Sequence, residues 1–492
     1  MRGVIAAGHP VTAEAGAGVL RAGGNAVDAA VAAMLASFVA EPLLTGLGAG
    51  GYMLVSGPAG DPVLIDFIVE APGRDAVLAQ QRAELREVSV SFGDADQRFH
   101  VGPASVGVYG TPSGIATALK RFGSVPLADL AAPAIELGRS GVEVTAQQAY
   151  LFEILAPIIG STPEARAMFM PAGHPPRVGE RLALPELADG IALLAADGPE
   201  PFYTGAVAAA IAEWVGRLGG TPSQADLAAY EVVERTPLSA PFRGRTVLTN
   251  PPPSAGGLLL TYALGLLEGG RIPPTPLDLV DAMRAAQDER TPAFVAGLGD
   301  ERFAETFLST RLGSTTHISV LDSTGLACSV TCTNGEGSGV VVPGTGMHLN
   351  NLMGEEDLSP LGFFSHPPGR RLPSMMAPTM VLVGDAPELV LGSAGSNRIR
   401  SALLQVIVNA LDRGLDVAAA VQAPRLHFEE GIVYSEPGVA LQAIERNGHR
   451  LARFRAANLF FGGVQAVRRD PLSGELTAGA DFRRGGAAVV VA

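Results

Sequence analysis

At Thr315 the sequence changes texture, from apolar residues recurring at helical spacing to residues that alternate one by one. Gly313-Ser314-Thr315-Thr316-His317-Ile318-Ser319-Val320 is followed by Cys328-Ser329-Val330-Thr331-Cys332-Thr333-Asn334-Gly335. In a strand, alternate residues share a face. Thr315, His317 and Ser319 therefore point one way, and Thr316, Ile318 and Val320 the other. Ser329, Thr331 and Thr333 likewise face opposite to Cys328, Val330 and Cys332. Two such neighbouring strands can carry a sheet of hydroxyls on one side. Threonine is also simply a good strand former, so this pattern alone leaves a chemical site and an ordinary strand pair both open.

The segments before Thr315 predict mostly helices. Asn25 can cap a helix with Asp28 at its third position, and Val27, Val31, Met34 and Phe38 follow at helical spacing. That helix ends near Glu41-Pro42 and runs into the glycine-rich loop Thr45 to Gly51, after which Tyr52 to Ser56 reads as a strand. Helical patterns cover Leu127 to Arg139, Ala146 to Ile159, Leu184 to Ala196 and Ala206 to Leu218. After Thr315 the expected strands are His317 to Leu321, Leu326 to Thr333, Met380 to Val383, Ile432 to Glu436, Gly463 to Arg468 and Ala487 to Val491, with a helix at Ser401 to Asp412. Helices outside and strands inside give an α+β layered fold. With 492 residues, 47% of them apolar, the chain can bury a large core. No linker marks a boundary, so one continuous domain is expected.

Several function classes fall away. The net charge of -14 leaves no basic face for a phosphate backbone, so nucleic acid is not an expected partner. The longest apolar stretch, Ala26 to Ala40, contains Asp28 and is rich in alanine, which suits a buried helix and no membrane span. Cys328 and Cys332 lie on one strand face, too far apart for an easy disulfide, and read as small core residues. The beginning of the sequence has no signal-peptide pattern, which predicts a cytoplasmic protein, or a periplasmic or secreted one if the true start lies upstream. Gly46, Gly48 and Gly51 spell a dinucleotide fingerprint, but a helix precedes them and a strand follows, the reverse of what that motif needs. No G-x-S-x-G elbow, H-E-x-x-H helix or spaced Cys/His set is present, and nothing calls for a metal or cofactor.

Thr315-Thr316-His317 with Ser319 and Gly325, then Gly337 to Gly346 and Leu349-Asn350-Asn351, resembles the start of the small subunit of γ-glutamyltransferases. Gly23 to Ala30, Glu41-Pro42, Thr45 to Met53, Pro252 to Gly257 and Phe461 to Val464 are similar to that family's other signatures, in the family's order. The resemblance implies a four-layer αββα sandwich of the N-terminal-nucleophile (Ntn) hydrolase type. It further implies self-cleavage between Ser314 and Thr315 into a large subunit, residues 1–314, and a small subunit, residues 315–492, that stay together. Thr315 would be the nucleophile and its new α-amino group the base. Thr333 would orient it, and the backbone N–H groups of Gly395 and Ser396 would form the oxyanion site. Asn334, Glu355 and Ser374 match substrate-binding positions. The implied substrate is a γ-glutamyl amide such as glutathione, cleaved through an acyl-enzyme.

One departure stands out. Typical members hold the γ-glutamyl α-carboxylate with an arginine, and in Asp66-Phe67-Ile68-Val69-Glu70-Ala71-Pro72 that place is taken by Ile68, which cannot form a bidentate clamp. An acylase for glutaryl- or cephalosporin-type amides, and a non-catalytic binding protein, are therefore the alternative expectations.

Overall fold

The computed structural model describes residues 2–58, 60–91, 96–289, 316–359 and 362–492. Thr315 and the Ser314–Thr315 bond lie outside the described residues. Two antiparallel sheets form the centre. In chain order their strands are β1 (Gly3–Ala7), β2 (Gly50–Gly57), β3 (Gly60–Phe67), β4 (Val233–Arg235), β5 (Leu238–Phe242), β6 (Arg245–Thr249), β7 (Thr316–Asp322), β8 (Ala327–Thr333), β9 (Thr379–Val383), β10 (Ala386–Ala394), β11 (Gly463–Arg469), β12 (Leu476–Ala480) and β13 (Ala487–Val491). The first sheet runs β13-β1-β7-β8-β2-β3-β4, the second β12-β11-β10-β9-β6-β5.

Helices cover both outer faces. Against the first sheet pack α1 (Pro10–Ala22), α2 (Ala26–Ala40), α3 (Leu127–Ser140) and α4 (Pro185–Asp197), in one apolar core with Met53, Ile65, Ile318, Val330 and Cys332. Against the second pack α5 (Ala255–Glu268), α6 (Pro276–Asp288) and α7 (Arg398–Leu411). The order helix, sheet, sheet, helix is the expected αββα sandwich. Among the described residues no helix is long and apolar enough to cross a membrane.

The early helix shows why the sequence folds this way. Asn25 and Asp28 form a reciprocal capping box at the start of α2, worth about 1 kcal/mol. Every residue of α2 is buried. Its many alanines allow the close approach that a helix enclosed by neighbours on all sides requires. The chain leaves the helix at Glu41, just before Pro42.

Two expectations are corrected. Ala146 to Ile159 is two helices, Ala146–Ile154 and Ala156–Ile159, because Pro157 has no N–H for a continuous ladder and starts a new turn instead. Ile432–Ser435 is a strand, but it belongs to a separate small sheet with Leu426–Glu429 and Arg450–Arg453. Both cysteines are unpaired thiols in the core, as expected.

Candidate active site

Strands β7 and β8 pair in the register the alternation requires, with Thr316 opposite Cys332, His317 opposite Thr331 and Ser319 opposite Ser329. The hydroxyl face is turned toward the second sheet. The Ser319 hydroxyl donates to the Gln465 carbonyl at 3.1 Å, and the Ser329 hydroxyl to that of Leu391 at 3.1 Å. Between them lies His317, with Nδ1 2.7 Å from Thr331 Oγ1 and Nε2 2.9 Å from Ser319 Oγ. Burial pushes this imidazole down to about 3, so it is neutral. A side chain at Gly392 would collide with the ring, so the sheets are locked together at this point. The middle of the hydroxyl face is a structural seam and not an open site.

The end of the seam is different. β7 begins at Thr316, and β8 ends at Thr333, whose Oγ1 accepts from the Gly335 N–H at 2.7 Å. Thr316 points to the helix side, where its hydroxyl donates to Glu41 Oε2 at 2.8 Å, while Thr12 donates to Oε1 at 3.1 Å. A Cβ at Gly8 would overlap this carboxylate, so only glycine lets β1 lead past it. Burial pushes Glu41 up to about 7, against the opposing pull of the two hydroxyls and of Arg484. Glu41, His9, Gln148 and Arg484 line one pocket here. In the sequence Glu41 marks a helix end and a family signature, and an acid closing an alanine-rich helix before Pro42 is the signal that points to its chemical role.

Past Thr333 the chain turns through Asn334, which donates its N–H to the Leu44 carbonyl at 2.9 Å and its side-chain amide to that of His348 at 3.2 Å. Its buried Oδ1 has no partner among the described residues. A Cβ on Gly335 would lie 2.6 Å from Glu355 Oε1. Thr333, Asn334 and Glu355 are thus gathered at one strand exit.

Gly395 and Ser396 form the turn from β10 into α7, both with left-handed backbone, φ 120° and 55°. Gly395 also packs on the backbone of Gly462, whose Cα is 2.6 Å from the position a Cβ would take. Leu391 meets Ser329 and Gly392 meets His317, so β10 runs toward the same end of the sandwich as Thr316 and Thr333. Ser374 stays in the wall. Its Oγ accepts from Met376 N–H at 3.0 Å, and its carbonyl accepts from Ala255 and Gly256 at the start of α5.

Ile68 is fully buried in the apolar core. The guanidinium nearest its backbone is that of Arg371, which donates to the Ile68 carbonyl at 3.1 Å and to Asp66 Oδ1 at 3.2 Å, with Glu70 at 3.5 Å. That cation is already neutralised by protein carboxylates. The glycine loop binds no phosphate-like cradle either. A Cβ on Gly48 would lie 2.7 Å from the His348 carbonyl and one on Gly50 2.7 Å from Val69 N, so these glycines serve backbone packing. Among the described residues no cluster suited to a metal ion occurs.

The profile of the family described as Gamma-glutamyltranspeptidase matches residues 12–311 and 301–491. Acylase ACY 1 proenzyme of Pseudomonas sp. (strain SE83) is 35% identical, over 100% of this chain and 94% of its own. Glutathione hydrolase proenzyme of Escherichia coli (strain K12) is 31% identical, over 98% of this chain and 90% of its own. The crystal structure of cephalosporin acylase from Bacillus halodurans superposes with a TM-score of 0.85 at 28% identity, covering 99% of this chain and 95% of that one.

Proposed function

Since the chain belongs to the gamma-glutamyltranspeptidase family of Ntn hydrolases, we propose that it is a self-cleaving amide hydrolase acting through Thr315, with an acylase's preference for glutaryl- or cephalosporin-type amides. The observation that carries this reading is Ile68, apolar and fully buried where a γ-glutamyl enzyme needs a cation, beside an Arg371 already paired with Asp66 and Glu70. Relatives named acylases support it.

In processing, the Thr315 hydroxyl attacks the Ser314 carbonyl, the acyl group moves from nitrogen to oxygen and frees the Thr315 α-amino group, and water then hydrolyses the ester to release the Ser314 carboxyl terminus. That α-amino group, with an ordinary pKa of about 7.7 to 8.0, is a suitable general base near neutral pH. In turnover it takes the proton of the Thr315 hydroxyl as that oxygen attacks the substrate carbonyl. It then returns the proton to the leaving amine, leaving an ester that water or an acceptor amine resolves. Thr333 orients the nucleophile, and the turn at Gly395 and Ser396 supplies N–H donors where negative charge develops.

A γ-glutamyl hydrolase or transferase is the second reading, favoured by Glu355, a carboxylate beside the Thr333 loop suited to an α-ammonium group. The test is intact mass before and after incubation, with Thr315→Ala as control, followed by parallel rates on glutaryl and γ-glutamyl anilides. Cleavage before Thr315 with faster glutaryl turnover is expected. Faster γ-glutamyl turnover selects the second reading, and an intact wild-type chain removes the catalytic assignment.

A further inference from the structure

Most arginines near the second sheet are neutralised. Arg483 pairs with Glu436 at 2.5 Å and Asp481 at 3.1 Å, Arg425 with Asp481 at 2.6 Å, and Arg245 with Glu388 at 2.5 Å. Arg484 is not. Its stem lies against Gly463, and its guanidinium donates to the Leu459 carbonyl at 3.3 Å. Among the described residues it enters no salt bridge, and its buried Nε–H has no acceptor.

Its position is as unusual as its pairing. Nη2 lies 3.6 Å from where a Cβ of Gly395 would be, so the cation borders the oxyanion turn. On its other side it lines the pocket shared with Glu41, the carboxylate bonded to Thr316. Arg398 repels it, Asp481, Glu336 and Glu41 attract it from beyond pairing distance, and burial with Arg398 pushes it down to about 10. At neutral pH it remains charged. Holding a guanidinium this deep without a carboxylate is costly. A ligand carboxylate arriving beside it would satisfy the spare donors with a charge-assisted bond.

Building on the acylase reading, we propose that Arg484 is the specificity-determining residue that binds the free carboxylate of a short dicarboxylic acyl group, supplying the cation missing at Ile68. Fixed beside both the oxyanion turn and the Thr316 end of β7, it holds the far end of the acyl chain while the near carbonyl meets the nucleophile. An acyl group of similar length but without a terminal carboxylate gains nothing from it.

The experiment uses the full-length processed protein, as wild type, Arg484→Gln and Arg484→Lys, with free glutarate as the binding probe and a glutaryl and a pentanoyl anilide as substrates. Glutarate is expected to raise the melting temperature of the wild type and, less, of the lysine variant, but not of the glutamine variant. The ratio of kcat/KM for glutaryl over pentanoyl anilide should fall roughly 10- to 150-fold in the glutamine variant, the span of one charge-assisted hydrogen bond. Most of that fall should appear in KM, with partial rescue by lysine. Equal stabilisation of the wild type and Arg484→Gln by glutarate, no stabilisation of either, or an unchanged ratio would overturn the assignment. A wild type that binds glutarate through Arg484 but hydrolyses neither anilide would retain this site and instead refute the acylase reading.

Discussion

Two polar clusters share strands β7 and β8, and only one is complete. In the middle, His317, Ser319, Ser329 and Thr331 partner one another and the carbonyls of Leu391 and Gln465. At the strand ends, Asn334 Oδ1, Asn351 Nδ2 and Arg484 Nε are buried without partners among the described residues. A satisfied buried network rigidifies the fold, whereas each orphaned group costs about 1 to 3 kcal/mol unless something completes it. Hydroxyls and imidazole, the groups that look most like catalysts, here hold the sheets together. Under the proposed function, the incomplete amides and guanidinium are the groups that a bound ligand would complete.

The strongest way to break this comparison is to remove the proposed nucleophile, the residue next to Thr316 in sequence. Thr315→Ala should leave the chain uncut by intact mass and lower amide hydrolysis by at least about 10⁴-fold, as loss of a nucleophile does elsewhere. A variant that retained hydrolysis would show that the chemistry resides elsewhere, with His317 the next group to test. His317→Ala is the converse. It should lower stability by about 4 kcal/mol, from an orphaned Thr331 hydroxyl, the bond lost at Ser319 and a ring-sized void. The signature is a lower denaturant midpoint at unchanged slope. Molecules that still fold should keep kcat within about threefold, since the ring is neutral and bound on both nitrogens.

Much of this contrast was legible in the sequence, and the reason is local. The strand pair was visible because alternation fixes which residues share a face, and α2 because Asn25, Asp28 and Pro42 punctuate it. β1, which lies within the first sheet, was not anticipated, since Gly3–Ala7 is a short apolar run without alternation. Hidden altogether were contacts between distant parts of the chain. Thr316 and Glu41 are 275 positions apart, and no spacing rule joins Arg484 to Gly395. The resemblance located Thr333, Asn334, Glu355 and the Gly395–Ser396 turn. It offered no way to tell that the nearest arginine to Ile68 would be occupied by Asp66 and Glu70.

Glu41 sharpens the comparison through pH. Its carboxyl titrates at about 7 in the fold against 4.5 when unperturbed. Between those values the folded protein holds a proton that the unfolded chain has lost. The stabilisation is therefore complete below 4.5 and declines as pH rises through about 7. The groups around it leave this titration isolated. Thr12 and Thr316 do not ionise in the window and Arg484 stays charged, while His9, pushed by burial from 6.5 down to about 4, contributes with the opposite sign and equally to both proteins, so its effect cancels in their difference. Relative to Glu41→Gln, the wild type should lose about 3 kcal/mol between pH about 4 and about 8. Denaturant titrations of both proteins across that range would measure it. A constant difference would mean that Glu41 is already ionised at acidic pH and belongs with the satisfied network.

Asn334 gives the smallest effect on stability and the most direct separation of the two clusters. Its amide group donates to the His348 carbonyl at 3.2 Å, but its Oδ1 receives nothing from the described residues. Asn334→Ala removes one hydrogen bond and one orphaned acceptor together, so the loss and the relief nearly cancel. Stability should change by about 1 kcal/mol or less, in contrast to the effect at His317. If the orphaned oxygen waits for a donor on the substrate, KM should rise about tenfold, the value of one ordinary hydrogen bond to a bound ligand, with kcat little altered. Asn334→Asp discriminates further, because it keeps the acceptor and loses the donor to His348. It should restore affinity for an acyl group that bears an ammonium, as the γ-glutamyl reading requires, and weaken a glutaryl group further, while losing more stability than alanine. A large stability loss in Asn334→Ala with unchanged KM would assign Asn334 to the scaffold, and the incomplete end of the strands would then begin only at Arg484.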